Sequence, residues 1–247
     1  MAGLLDGKNI VVTGGARGIG SKIIKMAISE GGNVAFLDIE EPVTYPKDAL
    51  FIKTDVSKEE DVRESFSKIE DKLGSVYGLV NNAAISHTPI PAEEVTRDLI
   101  SRVFSINVFG TFFCTKYALL SMLKIGRGSV VNVSSVIGKV GSRNSSVYAS
   151  SKAALLGMTK SNAVTYASRN IRFNAILPGY VSTPLIDEAA SKSGDYESYI
   201  KNLISLHPVG RLGNPEEIAG LVVYLLSEKS SFITGSEIVI DGGYTSI

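Results

Sequence analysis

Tyr148 and Lys152 stand four residues apart in a helical stretch, a spacing that puts both side chains on one helix face. Ser134 and Ser135 end an apolar strand pattern, Ser135 lying thirteen residues before the tyrosine. With ten tyrosines and sixteen lysines in 247 residues, about 0.6 of such a pair is expected by chance, and the serine is what makes it informative. Oxidising an alcohol means taking the hydroxyl proton while hydride leaves the carbon. A free tyrosine, with a pKa near ~10, is too weakly acidic to serve as a base at neutral pH. An ammonium about 4 Å away, at an effective dielectric of about 20, supplies about 4 kcal/mol. That equals roughly three pKa units at about 1.36 kcal/mol each. The trio reads as Tyr148 the general acid/base, Lys152 its electrostatic activator and Ser135 the partner of the substrate oxygen.

Hydride needs a carrier, and the start of the chain offers a place for one. Thr13-Gly14-Gly15-Ala16-Arg17-Gly18-Ile19-Gly20 follows an apolar strand pattern and opens a helical one at Ile23, Ile24, Ala27 and Ile28. Strand, glycine turn and helix together aim unpaired N–H groups and a helix dipole at one point, which suits a pyrophosphate. The spacing is G-x-x-x-G-x-G rather than the commoner G-x-G-x-x-G. Asp38 ends the next strand pattern, eighteen residues past Gly20, where a carboxylate can accept both ribose hydroxyls of adenosine. It repels a 2′-phosphate, and Ile39 beside it brings no positive charge, so the pattern favours NAD over NADP. Arg17 is the nearby cation able to pair with a phosphate. Asp55 and Val56, after the third strand pattern, face the adenine edge. Asn81-Asn82-Ala83-Ala84 ends the fourth, where small residues let backbone meet the cofactor.

The elements that must hold these groups alternate from end to end. Strand patterns fall at 10–12, 34–37, 50–52, 76–80, 129–133, 171–176 and 237–240, and helical ones at 18–30, 57–73, 98–124, 147–168 and 214–227. Continuous apolar strands alternating with helices predict a parallel sheet covered on both faces, an α/β doubly wound domain spanning 1–247. Asn214-Pro215-Glu216-Glu217 has the order of a helix start. The polar helical stretch 184–206, broken at Ser193-Gly194-Asp195, follows a strand end and reads as a lid over the substrate. Formal net charge is zero, which argues against nucleic acid or an anionic membrane as partner. No continuous apolar run reaches the ~18 residues of a membrane span. Residues 1–8 are too polar for a signal peptide, and the lone cysteine, Cys114, forms no intrachain disulfide. These features predict a cytoplasmic protein. Cys114, beside Phe112 and Phe113, reads as a buried small hydrophobe.

Taken together, Thr13–Gly20, Asp55, Asn81–Ala83, Asn107, Ser135, Tyr148-x-x-x-Lys152 and Pro178-Gly179 resemble the short-chain dehydrogenase/reductase family over essentially the whole chain. The resemblance implies a single Rossmann domain with a seven-stranded parallel sheet. It implies Tyr148 as general acid/base, Ser135 as substrate-oxygen partner, and Lys152 as both binder of the nicotinamide ribose and activator of the tyrosine. By the same resemblance Asn107 holds a water that links Lys152 to solvent. The Val181 backbone and Thr183 hydroxyl, after Pro178-Gly179, hold the nicotinamide carboxamide. Asp241-Gly242-Gly243 resembles the family's closing turn, beside which homotetramer contacts form, with Ile238 and Ile240 as apolar support. Ala84 stands where the family has glycine, and Phe173 where a smaller aliphatic is usual.

These readings predict an NAD(H)-dependent oxidoreductase acting on a secondary alcohol, sugar or polyol, or the matching ketone, with no metal. The second reading is a 3-oxoacyl thioester reductase using NADPH, with Arg169 and Arg172 offering docking charge to an acyl carrier. A nucleotide sensor without catalysis would not need the Asn107, Ser135, Tyr148 and Lys152 set, nor would a methyltransferase. Ser86, His87, Ile137, Val140, Ser142, Tyr180, Leu185 and Ile186 are the candidate substrate neighbours. They mix apolar and hydroxyl groups and suit a polyol, a hydroxy steroid or a small cyclic alcohol.

Overall fold

Ile10, Val11 and Val12 are all fully buried yet point in opposite directions, as strand geometry demands. Ile10 and Val12 join one core cluster with Ile23, Ile24 and Val222, while Val11 joins another with Phe66, Met122 and Phe173. Two cores, one on each face, are what a fully covered parallel sheet produces. The computed structural model describes residues 3–246. Its strands are β1 (Asn9–Thr13), β2 (Asn33–Asp38), β3 (Leu50–Lys53), β4 (Gly78–Asn81), β5 (Gly128–Val133), β6 (Ile171–Pro178) and β7 (Glu237–Ile240). They form one seven-stranded sheet in the order β3-β2-β1-β4-β5-β6-β7, with every neighbouring pair parallel. This is the expected Rossmann-type doubly wound fold.

The order reverses between β1 and β4, and a crevice opens there at the carboxyl ends of the strands. Register aligns those ends: Thr13 pairs with Leu37, Val12 with Val80, Asn81 with Asn132 and Val133 with Ile176. Helix α1 (Gly18–Ser29) starts at this edge, and α2 (Glu59–Leu73) covers the opposite face. The predicted helix over 98–124 is three pieces: α3 (Arg97–Phe104), a π-helical turn at Ser105–Gly110, and α4 (Thr111–Ile125). By length and composition Arg97–Ile125 is apolar enough to cross a membrane, though no continuous apolar run of spanning length occurs in it, and half of its apolar window is buried inside this fold. Cys114 lies there, buried, and desolvation pushes its thiol up to about 12.

Helix α5 (Ser146–Tyr166) carries Tyr148 and Lys152. The polar stretch after β6 forms α6 (Pro184–Lys192) and α7 (Tyr196–Ser205), clasped by a 2.9 Å hydrogen bond from the Tyr196 hydroxyl to Asp187. Helix α8 (Pro215–Leu226) begins as its sequence predicts, with the Asn214 N–H donating to the Glu217 carboxylate at 2.8 Å. Phe173 is fully buried against the Tyr166 ring, centroids 6.0 Å apart.

Candidate active site

The glycine turn is held from below by β4. The Asn82 side-chain amide donates to the carbonyls of Thr13 and Gly14 at 3.0 and 2.9 Å, and the Thr13 hydroxyl accepts the N–H groups of Asn82 and Ala83, each at 3.0 Å. Gly14 has φ +66°, and a Cβ there would lie 2.8 Å from the Ala83 Cα. A Cβ on Gly20 would lie 2.1 Å from the Gly14 carbonyl oxygen. These two glycines let the turn close on itself and on Asn82 and Ala83. Helix α1 then begins with no side-chain cap and no acidic residue in its first turn. An uncapped N-terminus of this kind fits an anionic group. The Asp38 carboxylate lies beside it, accepting the Ala16 N–H at 2.9 Å through one oxygen and the Glu40 N–H at 3.4 Å through the other. Ile39 is exposed. The Gly18 Cα faces Thr183, whose hydroxyl donates to the Val181 carbonyl at 3.2 Å. The fold thus brings Thr183 and Val181 to the glycine turn. Gly179 fits because a Cβ there would strike His207 and Asp241.

Tyr148, Ser135 and Lys152 meet at the ends of β5 and α5. Ser135 accepts the Ile137 N–H at 3.2 Å, Ser134 donates to the Lys152 carbonyl at 2.8 Å, and the Lys152 ammonium donates to the Val133 carbonyl at 2.8 Å. Lys152 is 3% exposed, and burial lowers its pKa to about 8. Burial also pushes the Tyr148 hydroxyl up to about 12, with the hydroxyl of Ser135 pulling the other way and Tyr180 adding to the rise. Burial, a contribution that the sequence argument did not count, therefore sets the net direction for Tyr148. That argument took a close ammonium and no desolvation. The ammonium lies 5.8 Å from the Tyr148 ring centroid and is turned to the Val133 carbonyl.

The π turn aims Asn107 into the fold. Its amide donates to the Ile85 carbonyl and the Ser151 hydroxyl, each at 3.0 Å, and its oxygen accepts the Ile85 N–H at 2.9 Å. Ser151 passes the link on by donating to the Tyr148 carbonyl at 2.7 Å. Asn107 therefore braces the loop after β4 against the helix of Tyr148, and only the second lone pair of its side-chain oxygen remains for a water. His87 from that loop accepts the Tyr148 N–H at 3.3 Å. Tyr180 lies on the far side, with Ser142 as hydrogen-bond partner, and its ionised form would disfavour a second phenolate at Tyr148. Sequence reading did not single out His207 or Tyr244, which stack on Tyr180 at centroid distances of 5.8 and 6.0 Å.

Other expectations change. Asp55 is pushed up by burial, but hydrogen bonds from Ser57 and the Lys58 charge outweigh that and leave it lowered. One oxygen of its side chain closes the turn to Ser57 at 2.6 Å, the other faces Lys58, and Val56 is buried in the core beneath Gly110. Arg17 is ion-paired with Glu188 of α6. Arg172 is buried, its guanidinium donating to the carbonyls of Leu225, Ser227 and Ile233, so it offers no docking charge. Ile238 and Ile240 pack inward on the core, and the exposed apolar residues include Phe109, Phe112, Leu120 and Phe232 instead. Ala84 is half-buried. Among the described residues no acidic, histidine or cysteine cluster could hold a metal.

A family model described as enoyl-(acyl carrier protein) reductase matches residues 14–245. The chain is 38% identical over 250 residues to 2,5-dichloro-2,5-cyclohexadiene-1,4-diol dehydrogenase of Sphingobium indicum, covering 98% of this chain and 99% of that protein. Among solved structures, ligand-free aldohexose dehydrogenase of Thermoplasma acidophilum has a TM-score of 0.93 at 35% identity, covering 99% of this chain and 96% of that one. ElxO with NADP bound has a TM-score of 0.90 at 33% identity, covering 97% of this chain and 99% of that one.

Proposed function

The chain belongs to the short-chain dehydrogenase/reductase family and is an oxidoreductase of CH–OH groups, and from that premise we propose that it moves hydride between NAD and a ring-borne secondary alcohol or its ketone. One observation carries this reading: Tyr148, Ser135 and Lys152 lie on the same sheet edge as the uncapped start of α1 and the Asp38 carboxylate. The start of α1 takes the pyrophosphate, and Asp38 takes the adenosine ribose. Val181 and Thr183 take the carboxamide, and Lys152 the second ribose. Held there, a nicotinamide dinucleotide would supply the hydride acceptor or donor and, when oxidised, a positive charge beside the tyrosine.

The chain's own residues handle the proton. A hydroxyl raised to about 12 is protonated at neutral pH, which suits Tyr148 for donating to a carbonyl oxygen. In the oxidative direction it takes the alcohol proton only when positive charge beside it offsets the burial. Lys152, near 8, supplies part of that charge. The Ser135 hydroxyl orients the substrate oxygen against the tyrosine. Asn107, through Ser151, keeps the first turn of α5 from shifting, and its remaining lone pair is where a relay water would sit. Helices α6 and α7 act as the lid.

NAD is favoured because Asp38 opposes a 2′-phosphate and because Arg17 is committed to Glu188. A ring substrate is favoured by the aromatic wall of Tyr180 and Tyr244 and by the names of two relatives, which act on a cyclohexadienediol and an aldohexose. The thioester reading loses Arg172 as a docking charge. The exposed Phe109 of the π turn and Phe112 of α4 support self-association, for which a homotetramer is the proposed state. The test is NADH or NADPH formation with cyclic alcohols, sugars, polyols and 3-hydroxyacyl thioesters. Turnover with NAD and a ring alcohol is expected, and turnover confined to NADP and a thioester would overturn the proposal.

A further inference from the structure

The imidazole of His207 has both nitrogens committed. The Tyr180 N–H points at Nε2 at 3.1 Å, so Nε2 must carry a lone pair. Nδ1 faces the Leu203 carbonyl at 2.8 Å, which can only accept, so Nδ1 carries the hydrogen. The geometry admits one form, the neutral Nδ1–H tautomer. The ring is 3% exposed and packed between Tyr180 and Tyr244. Leu203 belongs to α7, and Tyr180 follows β6, so this one ring ties the end of the lid to the loop that forms the substrate wall.

We propose that His207 is a positioning residue whose neutral imidazole holds Tyr180 in the substrate wall, and that proton uptake by this ring releases Tyr180 and weakens substrate binding. A proton on Nε2 would set two donors face to face at 3.1 Å, and the contact must then open. Gly179 leaves no slack, since even a methyl there would lie 2.8 Å from Nε2. The charged and titratable neighbours come from each element around the ring. Asp241, after β7, is the acidic group that faces the ring. Tyr180 and Tyr244 contribute their rings. Arg211 and Glu217 line the same cavity but pair with each other at 2.8 Å. The lost Tyr180 bond is what makes proton uptake by this ring consequential. Tyr180 is a candidate substrate neighbour, so the effect is read first on the KM of the alcohol.

This inference rests on the alcohol dehydrogenase reading, and the experiment separates the two. KM and kcat for the alcohol are measured from about pH 8 to about pH 5.5 in the wild type, His207→Gln and His207→Leu. A glutamine oxygen accepts the Tyr180 N–H at every pH, and a leucine accepts it at none. The expected result is a KM that rises about tenfold toward acid in the wild type, stays flat in the glutamine variant and is high throughout in the leucine variant. The dinucleotide Kd, from calorimetry, should move little. The chain holds two histidines, so 15N spectra of the imidazoles, with His87→Gln for assignment, read the tautomer without turnover. An Nε2–H tautomer at neutral pH, or the same acid limb in wild type and glutamine variant, overturns the proposal. Absence of turnover on every alcohol would overturn the functional reading, and the spectra would still decide the state of His207.

Discussion

Gly20→Ala tests whether the glycine turn is as tight as its contacts say. The added methyl would lie 2.1 Å from the Gly14 carbonyl oxygen and 2.8 Å from the Asn82 side-chain nitrogen. Ordinary contact begins near 3.4 Å, so backbone must move by about an ångström, and overpacking of this kind costs about 3 kcal/mol. The shift also strains the 2.9 Å bond from Asn82 to Gly14, worth about 1 kcal/mol. Alanine returns about 1 kcal/mol through its helix propensity. The net loss is about 3 kcal/mol, a fall in Tm of about 6–12 °C for a chain of this size. Gly18→Ala is the control. Its methyl would meet nothing closer than 3.6 Å, and its φ of +56° alone costs about 1–2 kcal/mol. Scanning calorimetry should rank the two variants in that order, and isothermal titration should show dinucleotide affinity falling more than about tenfold for Gly20→Ala. A Gly20→Ala protein melting within about 2 °C of wild type would refute the reasoning.

Tyr148→Phe removes the proton carrier and little else. Turnover should fall by at least about 10² while the dinucleotide Kd stays within about threefold, and retained turnover would displace Tyr148 from its role. Lys152→Met should slow turnover by a similar factor yet raise Tm at neutral pH. Burial lowers the folded-state pKa from 10.5 to about 8, so the group's contribution to stability grows as pH rises through that window and is a penalty below it. Removing it yields about 2 kcal/mol after allowing for the unpaired Val133 carbonyl, and a lower Tm by calorimetry would contradict this. Glu188→Gln breaks an exposed ion pair and should leave Tm unchanged within about 1–2 °C. By freeing Arg17 it should raise kcat/KM with NADP relative to NAD by about threefold or more, and an unchanged ratio would place cofactor choice elsewhere.

What could be read along the chain was local. Each strand announced itself as a short apolar run because both faces of a parallel sheet are buried, and Asn214-Pro215 announced α8 because a helix start is a matter of adjacent residues. Tyr148 and Lys152 could be placed on one face because helical spacing is fixed. The π turn at Ser105–Gly110 left no trace, since one extra residue in an apolar helix alters no pattern, and so the bracing of Ile85 and Ser151 by Asn107 was hidden. Charges were misread for a related reason. Arg172 looks like any surface base until three carbonyls from the α8 end of the fold close over it. The Tyr148 hydroxyl shows its neighbours by spacing but not its burial, which pushes it up. In both, residue type tells what a group can do, while the distant segments packed around it decide which protonation state or partner it has. His207 is the sharpest instance. Its two contacts, one within α7 and one to a strand end 27 residues away, select a single tautomer, and no spacing in the sequence signals that this ring bears on the substrate wall.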